Sequence, residues 1–568
     1  MHFLVLDLDK SALKILLSQR HQDGIVSYVK CTLTEDQKKT LEEKGLKLNY
    51  VNFHLCPNYY IDYHREAIEF ADRFTNAFIA KFPQFFEFFN APKDAVTSAL
   101  GKRVLCLTSP LTKLVKLAQY LEESSLAKPT LLLPSHSSIH PDLIPYHVLQ
   151  TPATLSEKLK PLLVIMYLVL ITVFASGRRG GKEKASGKLL FDQSYSYANC
   201  EIKALYSHLK TRNDVVYLCH DKNNDFYDLL SKDAKPTVFH RPGVSGLLKK
   251  ARVLKELIRL YLSFLGTRLN HTFREELLKI KYKEIYYLSL FQNLKPRMFF
   301  KVRSDMDAYH PVATWAIGTH GGVNAGYMHG AYFPFSSVFA RNDFHVYGLL
   351  GDEFLNKIYK DFWPAGRKYF LLGTIGNNTR TLPVTADKFK TAVITTSACD
   401  DIWMSKKFLH DFIDACFYAH SGDNSPILVR CKTDGDDTGK ILENYSQKYQ
   451  VKWTSNLDSE IETNRSNTAI EEILDNCEVA VVMESSTCGW NALAMKKRFV
   501  IFQGDVVKHP FEALAPWLVV HNKEDLKDRI IALRKMPVED FEKITAPLIE
   551  RWGAYENEAR FNEFLSYS

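Results

Sequence analysis

Short apolar runs alternate with amphipathic stretches along nearly the whole chain. In the first 150 residues FLVLDLD, KLNYVNFHL, RVLCLTS and PTLLLPS read as buried strands, while DYHREAIEFADRFTNAFIAKF and LTKLVKLAQYLEES carry apolar positions at helical spacing. The rhythm resumes beyond residue 190 with helix NCEIKALYSHLKTR, strand DVVYLCHD, helix NNDFYDLLSK and strand PTVFHR, then a long basic helical region from Leu247 to Lys281. Strand PRMFFKVRSD, helix YHPVATWAIGTHGG and strands VNAGYMHGA and DFHVYGLLGDEF complete this half. After TIGNNTRTLPVTADKFK a second alternating unit starts at TAVITTSACDD and runs through EVAVVMESS, helix CGWNALAM and strand RFVIFQGD to PWLVVH. Such alternation predicts parallel strands joined by crossover helices: an α/β fold of two Rossmann-like doubly wound domains whose strand C-termini face a cleft. The expected boundaries are an N-terminal domain over 1–375, a C-terminal domain over 376–540, and a C-terminal helix over 541–568 returning to the first domain.

One stretch departs from the alternation. From Pro161 to Gly177 there is no charge, and seventeen residues of helix cover about 25 Å against a hydrocarbon core of roughly 30 Å. Lys158 and Lys160 precede it, and Arg178, Arg179, Lys182, Lys184 and Lys188 follow. Basic flanks on both sides favour a membrane-associating segment lying in the surface, with a single pass or a wholly buried core element as the alternatives.

Composition narrows the setting. A chain of 568 residues divides into more than one core. Its 46% apolar and 24% charged content is that of a globular protein, so disorder does not dominate. The net charge of +8 is spread over 73 basic and 65 acidic residues, which suits an anionic ligand or membrane surface and argues against a nucleic-acid partner. The ten cysteines are dispersed and form no CxxC pair, a pattern of buried thiols in a reducing compartment. MHFLVLDLDKSALKILLSQ has acidic residues inside its apolar part and no small-residue cleavage site, so a secretory signal is not expected.

Candidate chemistry gathers at VMESSTCGWNALAMKKRFVIF. Glu484, Ser485, Ser486 and Thr487 fall where a buried strand ends and a helix starts, so hydroxyls and helix N-terminal amides converge as they do around phosphates. An ordinary N-cap uses the same residue types. The string EVAVVMESSTCGWNALAMKKRFVIF resembles the nucleotide-binding segment of GT-B-fold glycosyltransferases. SDMDAYHPVATWAIGTHGGVNAGYMHGAYF is similar to the His-Gly segment of bacterial surface-carbohydrate transferases, a class that includes capsule, lipopolysaccharide-sugar and glycerophosphate transferases. SPILVRCKTDGDD occupies the place where those relatives carry a basic strand end, often Arg-Pro-His-Pro. The resemblance covers residues 295–350 and 390–520 by motif and the N-terminal half by rhythm alone.

Two departures bear on the donor. Asn491 stands where many such enzymes have a ribose-holding Glu, and the basic strand end reads Arg430-Cys431-Lys432. Paired hydroxyls at the phosphate site resemble the grips of enzymes using CMP-linked sugars such as sialic acid or Kdo. The resemblance implies that Arg430 and Lys432 neutralise phosphate beside Ser485, Ser486 and Thr487; exposed charges after a strand are the alternative.

His329, followed by Gly330, is the first candidate for catalytic base, because an imidazole titrates near neutrality and Gly330 permits close approach of a ligand. His310 and Asp307 in SDMDAYHP come second, against the alternative of a turn capping the helix that begins near Pro311. Asp434, Asp436 and Asp437 read as a polar loop, and the phosphatase-like DLD of LVLDLDKS lacks its accompanying motifs. No metal or further cofactor is required, since basic side chains and helix amides can stabilise a leaving phosphate.

These readings lead to a nucleotide-sugar-dependent glycosyltransferase at the cytoplasmic face of a membrane, peripheral or monotopic. It would serve polysaccharide biosynthesis, adding a sugar to a lipid-linked or surface glycan such as capsule or lipopolysaccharide. The alternatives are a CDP-glycerol- or ribitol-type phosphotransferase and a non-catalytic GT-B-like membrane scaffold.

Overall fold

The computed structural model describes residues 1–19, 23–51, 59–123, 128–133, 146–150, 155–174, 185–192, 200–219, 225–239, 247–264, 267, 271–301, 307–328, 342–352, 366–373, 389–395, 406–423, 425–430, 436–455, 470–483, 488–503, 510–553 and 558–567. Their strands pair into three parallel sheets. The first, in the order β3-β2-β1-β4-β5, consists of β1 (His2–Leu8), β2 (Gly24–Cys31), β3 (Leu46–Tyr50), β4 (Thr130–Leu133) and β5 (Val148–Gln150). The second, β12-β11-β10-β9-β6-β7-β8, comprises β6 (Leu189–Asp192), β7 (Val215–Cys219), β8 (Thr237–Phe239), β9 (Met298–Lys301), β10 (Val323–Tyr327), β11 (Val346–Leu349) and β12 (Lys368–Leu371). The third, β15-β14-β13-β16-β17-β18, takes β13 (Phe389–Ile394), β14 (Ile427–Arg430), β15 (Trp453–Ser455), β16 (Cys477–Met483), β17 (Arg498–Phe502) and β18 (Val519–Val520).

The stretch expected as one domain over 1–375 thus carries two sheets. In each sheet the first strand in sequence lies inside, and the chain winds outward first to one side and then to the other. The order reverses between β1 and β4, between β6 and β9, and between β13 and β16, and such reversals open the crevices where parallel sheets take ligands. The strands are nearly continuously apolar because helices cover both faces: in β16 six of seven residues are buried.

The helices are α1 (Lys10–Ser18), α2 (Glu35–Glu43), α3 (Tyr59–Lys81), α4 (Lys93–Glu123), α5 (Leu155–Phe174), α6 (Cys200–Leu209), α7 (Asp225–Lys232), α8 (Leu247–Ser263), α9 (His271–Leu294) and α10 (His310–Gly318). Those of the third unit and the C-terminal segment are α11 (Lys406–Ala419), α12 (Asp436–Tyr449), α13 (Ile470–Asp475), α14 (Cys488–Ala494), α15 (Lys523–Lys535), α16 (Val538–Trp552) and α17 (Glu558–Ser566).

Two expectations are corrected, one over RVLCLTS and one over the last thirty residues. RVLCLTS, read as a strand, lies inside α4. Buried Leu100, Leu111, Leu114, Leu117 and Leu121 on either side of it and Val104 within it repeat at helical spacing, and that longer period overrides a short apolar run. Arg103 from this run forms two hydrogen bonds to the buried Glu276 carboxylate of α9, at 2.7 and 2.9 Å. The uncharged stretch 161–177 begins inside α5, and among the described residues no helix is long and apolar enough to cross a membrane. Pro161, Ile165, Leu168 and Thr172 of α5 are buried against the protein at four- and three-residue spacing, so one face of the helix is core and the other is not.

The helix read over the last thirty residues is broken at Gly553, which adopts φ 59° as the left-handed C-terminal cap of α16. Here the chain leaves the third unit for the second. Trp552 is fully buried with its ring edge-on to Trp490 of α14, 6.1 Å between centroids, while its backbone presses on Gly351 just beyond β11. A Cβ at Gly351 would lie 2.5 Å from the Trp552 carbonyl oxygen, so only glycine permits the approach. Beyond it α17 lies on the second sheet: Phe564 packs on Phe300 and Phe370, and Arg297 donates to the Leu565 and Tyr567 carbonyls.

Candidate functional site

Two of the crevices hold chemistry. In the third sheet the reversal between β13 and β16 sets the Glu484–Thr487 segment directly after β16 in the chain. Those four residues lie outside the described ones, as does Lys432. Arg430 is described: it ends β14, paired with Ile394 of β13. Thr395, buried at the end of β13, donates both its amide and its hydroxyl to the Arg430 carbonyl, at 3.0 and 3.2 Å, which fixes the backbone from which the guanidinium projects. Nη1 reaches Cys488 Sγ at the start of α14, 3.6 Å away.

A thiol is a weak acceptor, and among the described residues the buried Nε has no hydrogen-bond partner. No acidic side chain pairs with Arg430 among the described residues. An unsatisfied buried donor costs about 1–3 kcal/mol, which an anionic ligand would recover. Asn491 lies on α14, half-buried, one helical turn beyond the segment.

The second crevice opens between β6 and β9. Their last residues, Asp192 and Lys301, are register partners on adjacent strands. Lys301 Nζ meets Asp307 Oδ2 at 2.8 Å, the Tyr287 hydroxyl donates to the same oxygen at 3.3 Å, and the Tyr309 amide donates to Oδ1 at 2.9 Å. Although burial works against the carboxylate, Lys301 and Lys283 outweigh it and hold the Asp307 pKa well below the usual carboxylate range. With Oδ2 engaged by Lys301 and Tyr287 and Oδ1 by the Tyr309 amide, Asp307 is reassigned from base to strut, joining the end of β9 to the turn before α10.

His310 is withdrawn for a related reason. The Asp343 amide donates to Nε2 at 2.7 Å, so Nδ1 carries the ring proton and donates to the Asp307 carbonyl at 2.6 Å. Both nitrogens are thereby used by backbone, and the ring stacks on Phe344 at 4.3 Å. Burial, reinforced by Lys102, drives its pKa well below that of a free histidine. His329, the remaining candidate base, lies outside the described residues; Met328 before it is buried at the end of β10, the strand next to β9.

Sequence reading missed Lys283. It projects from α9 beside this crevice, its ammonium 5.5–6.0 Å from the ring centroids of Tyr286, Tyr287 and Tyr309. Among the described residues it makes no hydrogen bond or ion pair. Burial pulls its pKa below the usual lysine value, with Asp307 opposing and Lys301 adding. The only sequence signal was a lysine inside the aromatic run KYKEIYY, indistinguishable there from a solvated helix face. Among the described residues no group of three or more His, Cys, Asp or Glu side chains is placed to hold a metal ion.

No protein-family model and no curated protein matches the chain. Solved structures do. A UDP-GlcNAc 2-epimerase from Neisseria meningitidis bound to UDP-GlcNAc matches with 10% identity, 67% of this chain and 99% of its own covered, and a TM-score of 0.43. Anabaena Alr3699/HepE in complex with UDP and glucose matches with 13% identity, 67% and 100% covered, and a TM-score of 0.39. Acinetobacter baumannii MurG follows with 11% identity, 67% and 93% covered, and a TM-score of 0.31. The α/β character and parallel sheets rest on the strand pairing above.

Proposed function

We propose that the protein is a nucleotide-sugar-dependent glycosyltransferase whose donor phosphates bind at the C-terminal edge of the third sheet, where its strand order reverses. The observation that carries this is Arg430: a partly buried guanidinium at that edge, with one nitrogen unsatisfied among the described residues and another on a thiol. A phosphate supplies the acceptors it lacks. Ser485, Ser486 and Thr487 are assigned to the same phosphates, with Glu484 and Lys432 flanking them.

In transfer, an acceptor hydroxyl oxygen attacks the anomeric carbon. The bond from that carbon to the donor phosphate oxygen breaks, and the hydroxyl proton passes to a base. His329 is assigned that role now that Asp307 and His310 are committed elsewhere. Charge developing on the leaving phosphate is neutralised by Arg430. The donor is assigned as a CMP-linked sugar, on Asn491 standing where the resembling transferases have a ribose-holding Glu.

Thermal unfolding with CMP, CDP, UDP and GDP tests this, for the wild type and Arg430→Gln. Cytidine nucleotides are expected to raise the midpoint, with affinity falling roughly ten- to a hundredfold in the variant. No response to any nucleotide, or an unaffected variant, overturns the donor site. A response to UDP alone overturns the cytidine assignment. His329→Ala should abolish transfer while donor binding persists; unchanged transfer removes His329 from the reaction, and a protein that binds nucleotide but never transfers is the scaffold.

A further inference from the structure

Fifteen large apolar side chains are exposed among the described residues, and nine of them lie on α5 and α8. These two helices pack side by side and both lean on α9: Ile165 and Leu168 of α5 and Leu257 and Leu260 of α8 are buried on the inner side. Their outer faces are therefore continuous. On α5, Leu163, Met166, Tyr167 and Leu170 point outward, Tyr167 being 62% exposed; on α8, Ile258 and Leu262 do the same. Clustering of this kind is unlike the scattered apolar residues of an ordinary soluble surface.

The charges on these faces have one sign. Lys158 and Lys160 of α5 and Arg252, Lys255 and Arg259 of α8 are exposed beside the apolar residues. Neither helix exposes an acid: Glu157 and Glu256 are half-buried, and Glu256 meets the buried Lys281 at 3.0 Å. Lys160 also pairs with Glu275 at 3.5 Å and Arg252 with Glu256 at 3.4 Å, yet the exposed charges beside the apolar band are all cations. Such a face complements the surface of an anionic bilayer, where side chains enter the headgroup boundary and lysine or arginine stays at lipid phosphates. A second copy of the chain fits less well, because a two-fold contact would oppose the same cations to each other.

We propose that the outer faces of α5 and α8 form a monotopic docking surface for an anionic lipid bilayer, α5 lying in the interface plane. This goes beyond the donor reading and stands apart from it, since no donor-site residue takes part.

Sedimentation of the full-length protein with phosphatidylcholine vesicles, with and without phosphatidylglycerol, is the test. Binding is expected to the anionic vesicles, falling on the order of tenfold without phosphatidylglycerol or in high salt. The exposed substitutions Leu163→Glu and Met166→Glu together should abolish binding to both, whereas Arg252→Glu with Lys255→Glu should remove mainly the anionic-lipid component. Wild-type protein left in the supernatant overturns the proposal, and so does unchanged binding by the Leu163/Met166 variant. A concentration-dependent dimer in light scattering that this variant dissolves assigns the face to a second copy and equally overturns it. Nucleotide-induced thermal shifts in the same samples read the donor site separately, so either reading can fail alone.

Discussion

Replacing Asp307 by Asn separates a catalytic base from a structural strut. The carboxylate lies 2.8 Å from Lys301 Nζ, and both side chains are largely buried, 13% and 17% exposed. At an effective dielectric constant near 20 the gross attraction over that distance is about 6 kcal/mol, much of it offset by desolvation. Removing Asp307 leaves Lys301 buried beside Lys283 with only the adjacent-strand Asp192 as counter-charge, and breaking such a pair costs about 3–5 kcal/mol, toward the lower end where a second carboxylate remains. The neutral amide still accepts from the Tyr309 amide, so the loss is chiefly electrostatic. Chemical denaturation measures it, and Asp307→Asn combined with Lys301→Met should recover most of the loss because neither charge is then left alone.

The pH dependence has a definite sign. Asp307 is depressed in the folded state, so its stabilisation is complete above the ordinary carboxylate range and is lost as pH falls from about 4 toward the depressed value. The gap between wild type and Asp307→Asn should narrow over that range. A base would behave otherwise, losing about a hundred- to ten-thousandfold in rate with stability almost intact. A variant within about 0.5 kcal/mol of wild type that no longer transfers would refute the strut assignment.

Two further outcomes are expected. His310, His345 and His420 are all depressed chiefly by burial, the latter two to about 4, while their unfolded forms protonate near 6.5. Stability should therefore fall as pH drops through that window, by up to about 1.4 kcal/mol per pH unit for each histidine; equal urea midpoints at pH values of roughly 7 and 5 would contradict this. Gly351→Ala drives a Cβ into the Trp552 backbone, for a cost of about 1–3 kcal/mol, and limited proteolysis should release residues 538–567 faster than from wild type.

Periodicity alone determined most of the elements, because each strand and crossover helix carries its own local pattern: EVAVVM and RFVIF appear as strands and CGWNALA as a helix, as read. It failed where local pattern and context disagree, as in RVLCLTS, whose apolar run fits either period until the flanking turns of α4 are counted. It marked the 161–177 stretch as unusual without showing that α5 hides one face, since burial depends on what packs against the helix. Strand order was beyond its reach, because pairing β6 with β9 joins segments more than a hundred residues apart.

Site chemistry divided the same way. Residue type nominated Arg430, Asp307 and His310 equally well. Only the tertiary structure distinguished a guanidinium without an anion among the described residues from a carboxylate already clamped by Lys301 and an imidazole with both nitrogens occupied, because hydrogen-bond capacity is consumed by neighbours distant in sequence. Lys283 reversed the case: an unremarkable helix lysine in the sequence, it becomes a desolvated cation among three tyrosine rings once α9 is laid against α10.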